Sequence, residues 1–170
     1  MKISERLKLV YENLVVGEDV WDFCCDHGYL GGAAYKSRQF GDIYFVDQIS
    51  SIIQKVKTRF ETYVYQKDHP STAHFILQSG QNVDRKITGT ACITGVGALV
   101  INDILSGLAN NQNLQAKRLI LGPHRDVEKL LLMIQNNKNL VGYQLSSKKE
   151  VLENSRNRIF YIFDRVLELQ

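Results

Sequence analysis

Proline and cysteine are scarce in this chain of 170 residues, which holds two of the first and three of the second. Three cysteines, two of them adjacent at Cys24 and Cys25, cannot build an ordinary disulfide framework, and no Cys-x-x-Cys or His-x-x-x-His spacing points to zinc. Reduced thiols and no metal centre are the expectation. No apolar run approaches the roughly 18 residues that a membrane span needs, and Met1–Arg6 lacks the apolar core of a signal peptide. A cytoplasmic protein without a membrane partner is therefore expected. Repeats, low-complexity tracts and linkers are also missing, and Pro70 and Pro123 fall where loops are expected anyway. A net charge of only +3 leaves no overwhelming field of one sign, although residues 117–170 hold 10 Lys and Arg against 6 Asp and Glu while residues 1–116 hold 11 against 12. That imbalance is a weak pointer to an anionic partner such as nucleic acid, set against an ordinary solvated basic surface.

What the chain does have is enough apolar material for a core, 44% of its residues, in a length suited to one domain over 1–170. Ser4 followed by Leu7, Val10, Tyr11 and Leu14 on one face predicts a capped amphipathic helix ending near Val16-Gly17. Strands are predicted from Val20 and over Ile43–Val46, Ala73–Leu77, Thr90–Thr94 and Arg118–Leu121, each short and continuous as strands buried on both faces should be. Helical spacing separates or follows them at Ile52–Val64, Leu99–Leu108 and Val127–Ile134. Leu140–Leu145 and Arg158–Leu167 have no helix between them and predict an antiparallel edge pair. The fold class is then α/β, a Rossmann-like, doubly wound, mostly parallel sheet with a C-terminal antiparallel hairpin, whose ligand site lies at the carboxyl ends of the strands where the winding reverses.

The turns expected to converge there are Cys24–Tyr29, Asp47-Gln48, Gln78–Asn82 and Thr94–Ala98. In the first, the apolar run Val20–Phe23 breaks into Cys24-Cys25-Asp26-His27-Gly28 before a helical pattern begins, and Asp47 stands 19 residues beyond Gly28 at the end of the second strand. That is the spacing at which α/β nucleotide sites place a carboxylate on ribose hydroxyls. A pyrophosphate needs a glycine-rich turn free of carboxylates, whereas Asp22 and Asp26 bracket this one. S-adenosyl-L-methionine, with a positive sulfonium and ammonium and no phosphate, suits such a turn better. A nicotinamide-dependent oxidoreductase and a non-catalytic nucleoside-binding domain descended from a methyltransferase stay open as alternatives.

Taken in order, Ile3-Ser4-Glu5-Arg6-Leu7, Trp21-Asp22 through Asp26-His27-Gly28-Tyr29-Leu30, Ile93-Thr94-Gly95-Val96-Gly97-Ala98 and Arg118–Pro123 resemble the bacterial tRNA adenine-22 N1-methyltransferase family across nearly the whole chain. The resemblance implies an S-adenosyl-L-methionine-dependent enzyme of tRNA methylation on a Rossmann-like sheet. The chain departs from the family pattern at Cys24, where glycine is usual, and at Gln78-Ser79-Gly80, where Gly-Asp-Gly is usual. Gly95-Val96-Gly97-Ala98 replaces Gly-Met-Gly-Gly, and the family's helical C-terminal extension is not expected within these residues.

The expected cofactor site then comprises Asp22, Cys24, His27, Gly28, Asp47, Gln48, Ser79, Gly80, Gln81, Thr94, Gly95, Val96 and Gly97. Asp26 is expected nearest the chemistry, where a carboxylate accepting from an adenine's exocyclic amine orients the base and offsets developing positive charge; the rival reading is a helix N-cap. N1 carries a lone pair, so His27 is expected to position rather than to act as base. Tyr29 reads as a first helical turn or a stacking ring, and Cys24, Cys25 and Cys92 as small hydrophobes in or beside strands. Arg125 after His124 is a candidate phosphate contact, and Lys148, Lys149, Arg156 and Arg158 form a candidate basic edge.

Overall fold

The computed structural model describes residues 3–166. Ser4 caps α1 (Glu5–Glu12), its hydroxyl accepting the Leu7 N–H at 3.4 Å. The helix stops earlier than its periodicity suggests. Asn13 turns its side-chain amide back onto the Leu9 carbonyl at 2.7 Å, and the following Val15 N–H is taken by Thr90 Oγ1 at 3.1 Å; an Asn competing for helix carbonyls is a natural stop.

The alternation continues through β1 (Val20–Phe23), α2 (Tyr29–Ser37), β2 (Ile43–Asp47), α3 (Ser50–Tyr63), β3 (Ala73–Leu77), β4 (Thr90–Thr94), α4 (Ala98–Asn110), β5 (Arg118–Gly122), α5 (Val127–Gln135), β6 (Tyr143–Glu153) and β7 (Arg156–Arg165). The seven strands lie in the order β3-β2-β1-β4-β5-β7-β6, with β1 to β5 parallel and both β5–β7 and β7–β6 antiparallel. This is the doubly wound sheet with a terminal hairpin that the sequence predicts. The winding reverses between β1 and β4.

Period-two alternation sorts the strand side chains between two cores. Val20, Ile43, Phe45, Cys92 and Ile120 pack under α1, α2 and α3, while Trp21, Phe23, Ile93, Leu119 and Leu121 pack under α4 and α5. Helix α2 comes unusually close to β2 because residue 31 is glycine; a Cβ there would lie 2.8 Å from Phe45 Cζ and 3.1 Å from Ile43 Cγ2.

Two expectations need correction. β3 is not buried on both faces: it forms the sheet edge, and Ile76 is its one buried residue. The terminal hairpin is longer than expected and starts later. Leu140 is buried at the end of a short 3-10 turn, Lys138–Leu140, rather than in a strand, and β6 runs on through the polar segment Ser146–Glu150 to Glu153. An edge strand facing water needs no apolar signature, and charge on it blunts unwanted pairing. Asn154 and Ser155, both left-handed at φ 49 and 59, close the two-residue turn; Leu167, assigned to the last strand, lies outside the described residues. No helix among the described residues is long and apolar enough to cross a membrane.

Candidate functional site

Where the winding reverses, the carboxyl ends of β1, β2 and β4 and the segment after β3 enclose a cleft of about 670 Å³. Its floor begins at the turn after β1, which alternates through left-handed backbone at Cys24 (φ 55), Asp26 (φ 45) and Gly28 (φ 67). Gly28 alone adopts that conformation without strain, and it occupies the N-cap position of α2 with no side chain to offer. The capping reading of Asp26 therefore fails, and its side chain, 74% exposed, stands at the rim 3.6 Å from His27 Nδ1. Capping comes instead from the strand below: the buried Asp22 Oδ2 accepts the Gly31 N–H at 3.2 Å.

Burial pushes the Asp22 carboxyl up to about 7; the Gly31 N–H opposes this and the charges of Asp26 and Asp47 add to it. The same burial, helped by Asp47 and Asp22, raises the Cys24 thiol to about 12 and lifts Cys25 and Cys92 as well. All three are thiols at neutral pH, which removes them as nucleophiles. Cys24, just beyond β1, is half-buried in the cleft lining and packs against the core below it. Because a left-handed residue with a Cβ loses about 1–2 kcal/mol, Cys24→Gly is expected to stabilise the fold by about 0.5–1 kcal/mol after the extra chain entropy of glycine. Denaturant unfolding checks this, and a destabilised variant would show that the thiol's packing outweighs the strain.

At the end of β2, Asp47 is buried, and its Oδ1 accepts the Ile49 N–H at 2.9 Å. Its Oδ2 takes no hydrogen bond among the described residues. Gln48, Gly80 and Gln81 line the same wall, and Thr94, Gly95 and Val96 the opposite one. Gly95, at φ 78, has open space where a Cβ would stand, so a ligand can approach its backbone closely.

The cleft thus gathers Asp22, Cys24, Asp26, His27, Asp47, Gln48, Gly80, Gln81, Thr94, Gly95 and Val96. Gly28, Ser79 and Gly97 do not line it. Gly28 is buried against Val56 and Phe45, the Ser79 hydroxyl accepts from Asn82 Nδ2 at 2.9 Å, and Gly97 is the N-cap of α4, with the Arg125 side chain over it.

Sequence reasoning missed the roof. Ser4, Arg6 and Leu7 of the first helical segment close the cleft, and Ile49, Ile52, Val100 and Ile104 supply its apolar surface. Leu7 and Ile52 carry a helical-face signal that reads equally as core, and Arg6, although part of the Ile3–Leu7 segment that carries the resemblance, has no spacing that assigns it to the cleft. It is the one Lys or Arg among the described lining residues, and its buried Nε lacks a hydrogen bond and lies 3.7 Å from Glu153 Oε2. Three carboxyl groups and one guanidinium therefore line a single cavity whose remaining surface is largely apolar. No group of three or more His, Cys, Asp or Glu among the described residues is arranged to hold a metal ion.

Solved structures with this architecture share little sequence with the chain. The M1A22 tRNA methyltransferase TrmK of B. subtilis superposes with a TM-score of 0.81 at 20% identity, over 96% of this chain and 67% of its own. M. capricolum TrmK in complex with S-adenosyl-homocysteine gives 0.75 at 16%, over 100% and 73%, and an NADB-Rossmann superfamily protein of Streptococcus agalactiae gives 0.78 at 17%, over 100% and 72%. No curated protein matches the chain. A family described as a methyltransferase domain matches residues 3–163. With that match spanning almost every residue that builds the sheet and the acidic cleft, the chain belongs to the methyltransferase domain family.

Proposed function

We propose that the protein transfers a methyl group from S-adenosyl-L-methionine to N1 of an adenine in tRNA, in the cytoplasm, with residues 1–170 forming one methyltransferase domain. The observation that carries this reading is the acidic cleft: Asp22, Asp26 and Asp47 meet at the strand ends, where a dinucleotide's pyrophosphate would be repelled and a cationic donor attracted. The donor set fits the cofactor. Asp47 faces ribose hydroxyls, Asp22 the ammonium, Arg6 the carboxylate, and Gly80 and Gln81 the adenine; Ile49 and Ile52 supply apolar contact. When bound, S-adenosylmethionine supplies an electrophilic methyl group on a sulfonium. Thr94, Gly95 and Val96 present backbone to the target base, Asp26 accepts from its exocyclic amine and offsets the positive charge that develops on the ring, and His27 holds Asp26's side of the rim. N1 attacks with its own lone pair, so no general base is required. Because N1 lies on the Watson-Crick edge, the base must arrive unpaired or extruded. The resemblance in sequence, and the activity named for the B. subtilis neighbour, favour tRNA as the substrate.

Incubating purified protein with labelled S-adenosylmethionine and unmodified total tRNA is expected to yield N1-methyladenosine by nucleoside mass spectrometry. Cofactor binding without any methylated nucleoside would support the non-catalytic alternative, and binding of NADH alone the oxidoreductase. Asp47→Ala is expected to weaken S-adenosylmethionine binding by about 1.5–3 kcal/mol, the range for hydrogen bonds to a charged group, with the fold intact. Calorimetry reads this directly, and unchanged affinity would take Asp47 off the ribose.

A further inference from the structure

A second groove, of about 730 Å³, runs beside the cleft along the outer face of α3. It is lined by His27 and by Gln54, Lys55, Thr58, Arg59 and Tyr63, residues that recur every three or four positions and so share one helix face. Its chemistry is the reverse of the cleft's. Two cations, amide and hydroxyl donors and a tyrosine ring that is 71% exposed are present, and no Asp or Glu is among the lining residues. The nearby Lys57–Glu61 pair, at 4.0 Å, neutralises itself outside the groove.

Groove and cleft adjoin. His27 lines both, and the dividing wall is a coupled pair: Arg59 Nη1 donates to Tyr29 Oη at 2.7 Å, with the guanidinium carbon 4.7 Å from the Tyr29 ring centroid. Tyr29 in turn lines the cleft. On the basic edge expected at the terminal hairpin, Lys148 is held 3.3 Å from Glu150 on the same strand.

We propose that this α3 groove is the track for the single-stranded nucleotides flanking the target base, with phosphates at Lys55 and Arg59 and a base stacked on Tyr63. The inference rests on the RNA reading of the cleft. Opposite potentials side by side sort one substrate into two parts: the uncharged base passes the rim at His27 into the acidic cavity, while the anionic backbone stays on the basic shelf. Phosphate contacts give register and affinity without sequence information, and stacking tolerates any base.

Lys55→Gln and Tyr63→Ala test this, since both residues are exposed and neither lines the cleft. Lys55→Gln is expected to weaken RNA binding several-fold and to lower the slope of log affinity against log salt by about 0.7–0.9. Tyr63→Ala is expected to weaken it roughly tenfold. In both variants KM for tRNA rises, while kcat at saturating tRNA and affinity for S-adenosylmethionine stay at wild-type values. Wild-type RNA affinity in both variants, in a protein that methylates tRNA, overturns the groove and leaves the cleft reading standing. An effect of Lys55→Gln with none of Tyr63→Ala, and equal competition by polyphosphate, would make the groove a nonspecific anion surface and overturns it too. A wild-type protein that binds RNA through these residues yet methylates none keeps the groove and sinks the catalytic reading; one that binds no RNA sinks both.

Discussion

Asp22→Asn is expected to unfold at a higher temperature than the wild type at about pH 8 and to bind S-adenosylmethionine roughly ten- to hundredfold more weakly. The carboxyl loses its proton near 3.8 in the unfolded chain and at about 7 in the folded one. Between those values the folded state binds more protons, so stability falls as pH rises from about 4 to about 7 and is level above. The full effect is on the order of 4 kcal/mol. Asparagine removes the titration and keeps an oxygen for the Gly31 N–H. Asp164 works in the opposite direction, since Arg118, at 2.7 and 3.0 Å, holds it below the usual carboxylate range and its contribution is lost as pH falls. That contribution is common to both proteins and drops out of their difference. The two melting curves should therefore part company as pH rises, and a gap independent of pH would refute the buried-carboxyl account. A cation bound in the cleft favours the ionised Asp22, so wild-type affinity for the cofactor should climb by up to about tenfold per pH unit below 7 and then level off. The variant's affinity should stay flat.

Gly31→Val should be the most damaging single change near the site, with a loss on the order of 3 kcal/mol of stability and of measurable cofactor binding. The new side chain would meet the Phe45 ring and Ile43 at less than contact distance, and neither can yield: both are fully buried, and Phe45 is stacked 5.2 Å from Phe75. Relief comes only by lifting α2 from β2. That movement carries the residue 31 N–H away from Asp22 Oδ2 and reshapes the cleft floor. Chemical denaturation and calorimetry measure both losses, and a variant with wild-type stability would show that α2 can tilt freely. Gly31→Ala should fall between the two.

Much of the fold was legible because the central strands are short apolar runs set between segments of helical period. Asp47 was legible for a related reason: its place at a strand end is a matter of spacing along the chain. Features that depend on what lies across the molecule were not. β6 extends through Ser146–Glu150 because it pairs with β7, a long-range match that leaves no apolar pattern on a solvated edge. Arg6 enters the cleft only because α1 docks over it. Ser79, one residue from the lining, is drawn aside by Asn82. The left-handed turns at Cys24 and Asp26 carry no signal either, since residues with side chains do not advertise that conformation as glycine does.

The contact between Arg6 and Glu153 joins the ceiling over the cleft to the outermost strand of the sheet, with Val151 packed in the same apolar cluster as Leu7 of that ceiling. A doubly wound sheet usually keeps its ligand business near its middle. Here the far ribbon doubles back to brace the first helix, so the chain's last strands act as a buttress for its opening residues, and damage at the ribbon's tip should be felt in the chamber it never touches.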